Sequence, residues 1–190
     1  MLTIGVWDLF FTFTTNLIQP NKHMKIRKGI SSDMPSVLEL IKELATFEKE
    51  PDAVVVTVND LIRDGFSDNP LFYCFVAEED LESSEGNLSK QIIGIALYYY
   101  RYSTWKGKTI HLEDLIVRED KRGTGAGMAL YSEVIRQGKR DNVRRIEWAV
   151  LDWNTPAINF YKKTGANVLT DWHVVQMDEQ GIDAFLNSNT

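Results

Sequence analysis

The densest chemical signal in this chain lies in Arg122-Gly123-Thr124-Gly125-Ala126-Gly127, three alternating glycines behind an arginine. Glycine lets backbone N–H groups turn inward and meet an anion closely. At the start of a helix those amides lack an intrahelical acceptor and sit at the positive end of the dipole. Such a loop suits a pyrophosphate. It lacks the Gly-Lys-Ser/Thr ending of a P-loop, and G-x-G-x-G departs from the G-x-G-x-x-G of dinucleotide-binding folds. A glycine-rich connector with no ligand would have the same composition. Cys74, the single cysteine, lies in the apolar run Leu71 to Ala77, so it reads as a buried inert thiol and no intrachain disulfide is expected. His23, His111 and His173 show no metal-ligand spacing, and no metal is expected.

A strand and a helix must hold that loop. Thr109 to Val117 reads as the strand leading in, after a hairpin tip at Trp105-Lys106-Gly107-Lys108. Met128, Leu130, Tyr131, Val134 and Ile135 form the apolar face of the helix leading out, which runs to about Gln137 with Lys139 and Arg140 suiting its negative end. Upstream, a short strand near Met24 to Lys28 precedes a helix from about Met34 to Phe47, where Val37, Leu40, Ile41 and Leu44 make one stripe and Ser31-Ser32-Asp33 offer cap oxygens. Thr57 with Asp60 starts a shorter helix that stops at Gly65. Leu71 to Glu78 and Gln91 to Tyr102 are β-prone, with the polar stretch Glu79 to Lys90 between them. Ile146 to Leu151 alternates as a further strand, expected to lie parallel to Thr109 to Val117 through a right-handed crossover. Thr155 as cap with Pro156 as first residue opens a helix ending at Gly165, and Trp172 to Met177 reads as a last strand. The order predicts a mixed α/β (α+β) domain with a mostly antiparallel sheet flanked by helices.

The chain has 190 residues and a net charge of −6, with 44% hydrophobic and 25% charged residues. Those proportions fit one globular domain and disfavour disordered, collagen-like and polytopic membrane classes. An acidic chain repels a nucleic-acid backbone, so no nucleic acid is expected as partner, and small cationic molecules gain weight. Met1 to Ile18 is apolar but carries Asp8 and no basic residue, unlike a secretory signal, and is too interrupted for a membrane span. Residues 1–23 are expected to be an extension, not native or outside the fold, with a single domain over 24–190. No membrane association is expected, and Asn87-Leu88-Ser89 is read as a chance match to a glycosylation sequon. A cytoplasmic location fits the cysteine usage.

Arg122 to Gly127, in its strand-loop-helix setting, resembles the R/Q-x-x-G-x-G/A signature of the GNAT superfamily of acyl-CoA-dependent N-acetyltransferases. Leu40-Ile-Lys-Glu-Leu-Ala45, Asp64-Gly65-Phe66, Leu112-Glu113-Asp114, and Trp153-Asn154 through Ile158-Asn159-Phe160-Tyr161-Lys162 are similar to the diamine (spermidine/spermine) acetyltransferases and their thialysine acetyltransferase relatives. The resemblance covers roughly Lys25 to Ala166 and implies a GNAT-like fold, acetyl-CoA as cosubstrate and a homodimer. It also implies that Leu115, Ile116, Val117, Arg122, Gly123, Thr124, Gly125, Ala126, Gly127, Met128, Asn154 and Ala157 contact the cofactor. Phe47, Glu48, Trp105, Glu113 and Asp114 would meet the amine, with Phe47 where relatives often carry Tyr. Beyond Val168 the match weakens, and Asp171 is the candidate for an acidic contact carried there.

Acetyl transfer to an amine needs a neutral amine, a polarised carbonyl and a protonated thiolate. An aliphatic amine titrating at ~10.4 arrives charged and must lose a proton before it attacks. Glu113 is the candidate to hold the water that removes it and to attract the cation. The resemblance places Tyr161 as the acid that protonates the thiolate, and a backbone N–H near Val117 as the contact for the thioester oxygen. Tyr161 could equally be a core aromatic, and Asn154 only a helix cap. Glu113 and Asp114 face opposite ways on a regular strand unless a bulge intervenes. The activity implied is acetyl-CoA-dependent N-acetylation of a small cationic primary amine, a polyamine or lysine-like molecule. The alternatives are a peptide or antibiotic amine, or a non-catalytic acyl-CoA sensor.

Overall fold

The computed structural model describes residues 24–82 and 88–188. Residues 1–23, and Asn87 of the sequon, lie outside them. Packing divides the chain after Ala149. Residues 24–149 hold β1 (Met24–Lys28), α1 (Met34–Phe47), α2 (Val58–Gly65), β2 (Tyr73–Glu82), β3 (Leu88–Ser103), β4 (Gly107–Val117), α3 (Ala126–Arg140) and β5 (Ile146–Glu147). One sheet runs β1-β2-β3-β4-β5, antiparallel until the final parallel pair, as the hairpins and the crossover require. The mixed α/β architecture expected from the element order is the one found.

The sheet is covered on both faces. Met34, Val37 and Leu40 of α1 and Leu61 of α2 pack with Cys74, Val76, Ile95 and Ile116, and burying each Met, Val, Leu or Ile side chain is worth up to ~1.5–3 kcal/mol. Phe75, Ala77 and Ala96 alternate to the other face, where α3 buries Leu130, Tyr131 and Val134. Gly94 admits α3: a methyl group there would stand 2.8 Å from the Ile116 carbonyl oxygen and 3.1 Å from Leu130. Cys74 is buried as expected, and burial pushes its thiol up to about 12.

Local chemistry shifts several boundaries. The acidic stretch after Glu78 continues β2 to Glu82, because Asp80 pairs across the ladder with Lys90 and Glu79 forms an ion pair with Lys121. At the start of α1 the Asp33 carboxylate accepts from the Ile30 N–H at 2.8 Å and binds Arg27 at 2.6 Å, so it closes a preceding 3-10 turn rather than capping α1. Thr57 and Asp60 form the expected capping box of α2, with Asp60 N–H donating to Thr57 Oγ1 at 3.2 Å and Thr57 N–H to Asp60 Oδ2 at 2.9 Å. The strand expected to Leu151 ends at Glu147, where its ladder with β4 stops after Ile110↔Ile146 and His111↔Glu147.

Residues 150–188 hold α4 (Thr155–Lys163) and α5 (Glu179–Ser188). Asn154, not Thr155, caps α4: its Oδ1 accepts from Ala157 N–H at 3.3 Å, which moves Pro156 to the second helical position. Gly165 ends that helix with φ +90°. The strand expected over Trp172 to Met177 is not formed; these residues are extended in composition but have no ladder partner among the described residues, and α5 follows instead. Among the described residues no helix is long and apolar enough to cross a membrane.

Candidate active site

Glu113 and Asp114 lie on one face because β4 bulges there. The register with β3 runs Leu97↔Asp114 and then Tyr98↔Leu112, leaving Glu113 without a partner. Asp114 shares the face of Leu97, and Glu113 Oε2 stands 3.5 Å from Nε2 of His111, which is paired with Tyr99 on that same side. The two carboxylates therefore face the side that α1 covers. Burial, then the charges of Glu113 and Glu48, push the Asp114 carboxyl up to about 6. Partial desolvation at the C-terminal end of α1 also raises Glu48. Three acids thus share one neighbourhood, a field that favours a cation.

The glycine loop sits at the end of the same strand. Gly123 and Gly125 have φ of +80° and +88°, left-handed conformations that favour glycine, and Gly125 occupies the N-cap of the 15-residue α3. The first helical bond reaches Ala129 N–H from the Gly125 carbonyl, so the amides of Ala126, Gly127 and Met128 precede it and have no helical acceptor. Thr124 Oγ1 donates to the Lys121 carbonyl at 2.8 Å within the loop, and Arg122 Nε donates to the Val117 carbonyl at 3.2 Å, which ties the loop to its own strand. These amides at a helix N-terminus fit a diphosphate. Since β5 stops at Glu147, β4 from Leu112 to Val117, including Leu115 and Ile116, has no strand on that edge among the described residues. Apart from the Val117 carbonyl, which accepts from Arg122, the outward backbone groups of that edge have no strand partner among the described residues and suit an extended ligand.

Glu43 of α1, which sequence reasoning missed, fastens this region. Its Oε1 accepts from the Glu119 N–H at 2.9 Å and lies 3.9 Å from Arg122, while the Arg122 guanidinium stands 5.5 Å from the Phe47 ring centre. The available signal was spacing, since Glu43 and Phe47 are four apart on one helix. Phe47 and Glu48 thereby stand at the α1 end nearest the loop. Trp105 does not join them within the chain. It is 76% exposed at the β3–β4 turn, six residues of β4 or ~20 Å from the bulge. In residues 150–188, Tyr161 is 9% exposed on α4, one turn beyond Ala157, with Phe160 edge-on at 5.3 Å. Asn154 spends its side-chain oxygen on the helix cap, and Asp171 is exposed.

A family model described as the acetyltransferase (GNAT) family matches residues 34–166. The chain belongs to the GNAT family. Among curated relatives, it is 37% identical over 161 residues to the thialysine N-epsilon-acetyltransferase of Bos taurus, covering 83% of this chain and 94% of that protein. It is 36% identical over 162 residues to the human spermidine/spermine N(1)-acetyltransferase-like protein 1, covering 83% of this chain but only 23% of that longer protein. Among solved structures, an integron cassette protein from the mobile metagenome of V. cholerae shares the fold with a TM-score of 0.68 at 19% identity, over 87% of this chain and 99% of that one. This GNAT protein is accordingly an N-acetyltransferase, homologous to enzymes of small amines, in a family that uses acetyl-CoA.

Proposed function

We propose that this GNAT protein transfers an acetyl group from acetyl-CoA to a primary amine of a small cationic molecule, a polyamine or diamine or a lysine-like amino acid such as thialysine. The observation that carries the reading is the bulge of β4, which turns Glu113 and Asp114 to one face within the field of Glu48. The names of the bovine and human relatives support the same substrate class.

Bound acetyl-CoA supplies the thioester carbonyl and the thiol that leaves. Amides of Gly125 to Met128 hold its diphosphate at the start of α3, with Arg122, Gly123 and Thr124 shaping the turn. The open edge of Leu115, Ile116 and Val117 receives the extended arm, with the Val117 N–H serving the carbonyl oxygen. The family resemblance assigns Asn154 and Ala157 to the same arm. Asp114 and Glu48 attract the cation beside Phe47. Glu113 holds the water that takes the amine proton, leaving a neutral nucleophile. Tyr161 donates to the departing sulfur; a phenol at ~10 against a thiol near ~8.5 is protonated at neutral pH but gives only a modest drive for full transfer. No metal enters this scheme.

We place the enzyme in the cytoplasm as a homodimer. Leu169, Trp172, Val174, Val175 and Met177 are exposed, Val175 at 90%, and apolar surface of this kind suits an interface between copies. Trp105 would then meet the amine held by the partner copy.

The test is thiol release from acetyl-CoA by the purified chain across diamines, spermidine, lysine and thialysine, with a peptide and an aminoglycoside alongside. Release with one of the small cationic amines is expected. Release confined to the peptide or the aminoglycoside reassigns the substrate, and coenzyme binding without release from any amine makes the protein an acyl-CoA sensor.

A further inference from the structure

The last rung of the sheet, where β5 parts from β4, carries a side-chain chain that ends on Glu113. Nη1 of Arg101 lies 3.2 Å from Nδ1 of His111. A guanidinium donates and never accepts, so Nδ1 must present its lone pair and the imidazole must carry its proton on Nε2. That nitrogen is the one facing Glu113 Oε2, at 3.5 Å. The separation is long for a hydrogen bond, within the range that catalytic contacts close as substrate settles. The Tyr99 ring stacks on the imidazole with centres 5.1 Å apart. Arg101 is anchored in turn by Glu147 at 2.8 Å, which also pairs with Arg145 at 2.9 Å.

We infer that Arg101 and His111 are a positioning pair for Glu113: Arg101 fixes the imidazole as its Nε2–H form, and His111 holds the carboxylate where it meets the amine. The inference rests on the proposed role of Glu113. The groups facing His111 are Tyr99 and Arg101 from β3, Glu113 from β4 and Glu147 from β5. Burial lowers the imidazole pKa, Glu113 and Glu147 oppose that, and Arg101 reinforces it, so the neutral form persists at neutral pH. Protonation would put a hydrogen on Nδ1 against Arg101 and break the first link. The device therefore works above the imidazole pKa and fails below it.

Two readouts test this. Nitrogen NMR of the purified protein should report His111 as the Nε2–H tautomer, and the Arg101→Leu protein should show a tautomer mixture. His111→Leu should lower kcat/KM for the amine about ten- to a hundredfold, the effect of losing one hydrogen bond to a charged group, with the KM for acetyl-CoA unchanged. His111→Gln, which keeps a donor at that position, should recover most of the loss. The double variant His111→Leu/Glu113→Gln should be no worse than Glu113→Gln alone. An Nδ1–H tautomer overturns the inference, as does a His111→Leu enzyme with the wild-type pH profile beside a damaged Glu113→Gln. A Glu113→Gln enzyme with normal kinetics removes the proposed role of Glu113 itself, and the positioning role with it.

Discussion

At the scale of single residues, Asp114 sets stability against binding. Its carboxyl is pushed up to about 6 in the folded state, above the ~3.9 of an ordinary aspartate, because burial and two neighbouring acids disfavour its charge. The native state therefore holds a proton that the unfolded chain has lost between those two pH values. The stability this confers is complete below the lower value and disappears as pH rises through the upper one, leaving an ionised group that costs up to ~3 kcal/mol at neutral pH. Asp114→Asn should consequently raise the melting temperature at pH 8 and leave it unchanged near pH 3.5, while raising the KM for the amine. Equal melting temperatures at pH 8 would contradict the burial of that charge. Tyr161→Phe should lower kcat about a hundredfold or more with little change in either KM, as expected for loss of a general acid. The types at these positions were legible in the sequence, but their neighbourhood was not. Whether Glu113 and Asp114 face together depends on how Leu97 and Tyr98 of another strand register against them, and no local pattern carries that. His111 escaped for the same reason, since its partners come from three strands.

At the scale of elements, the turn into α3 is the part the sequence stated most plainly. Glycine at 123 and 125 was readable as a turn, and the positive φ values give the reason. Gly125→Ala should cost ~1–2 kcal/mol of stability, the penalty of a left-handed conformation for a residue with a Cβ, and should weaken coenzyme binding. Thermal melts and titration calorimetry would measure both. Gly123→Ala meets no atom within 4 Å, so its cost should be conformational alone. The helices of 24–149 were equally legible, through the stripe of α1 and the Thr57–Asp60 box of α2. The end of β5 was not, because Trp148 and Val150 keep the alternation after the ladder has stopped at Glu147. Pattern reports what a segment can bury, while pairing decides whether it is a strand.

At the scale of the whole molecule, the segment from Trp172 to Met177 is where sequence and structure part most. Its apolar residues read as a strand, yet they stand exposed and without a ladder among the described residues. The proposed interface between two copies would reconcile both facts, and sedimentation of the wild-type chain should then give a dimer that Val175→Asp weakens; a monomer at micromolar concentration would contradict it. The acidic net charge of −6 agrees with cationic substrates but leaves coenzyme binding to local groups, since a polyanion approaches against the overall field. The account consequently stands on the amides at the start of α3. Titration calorimetry of the purified chain with coenzyme A tests it most directly. Saturable binding of one coenzyme per chain is predicted, weakened by Gly125→Ala, and the absence of any binding by the correctly folded wild-type protein would contradict the account.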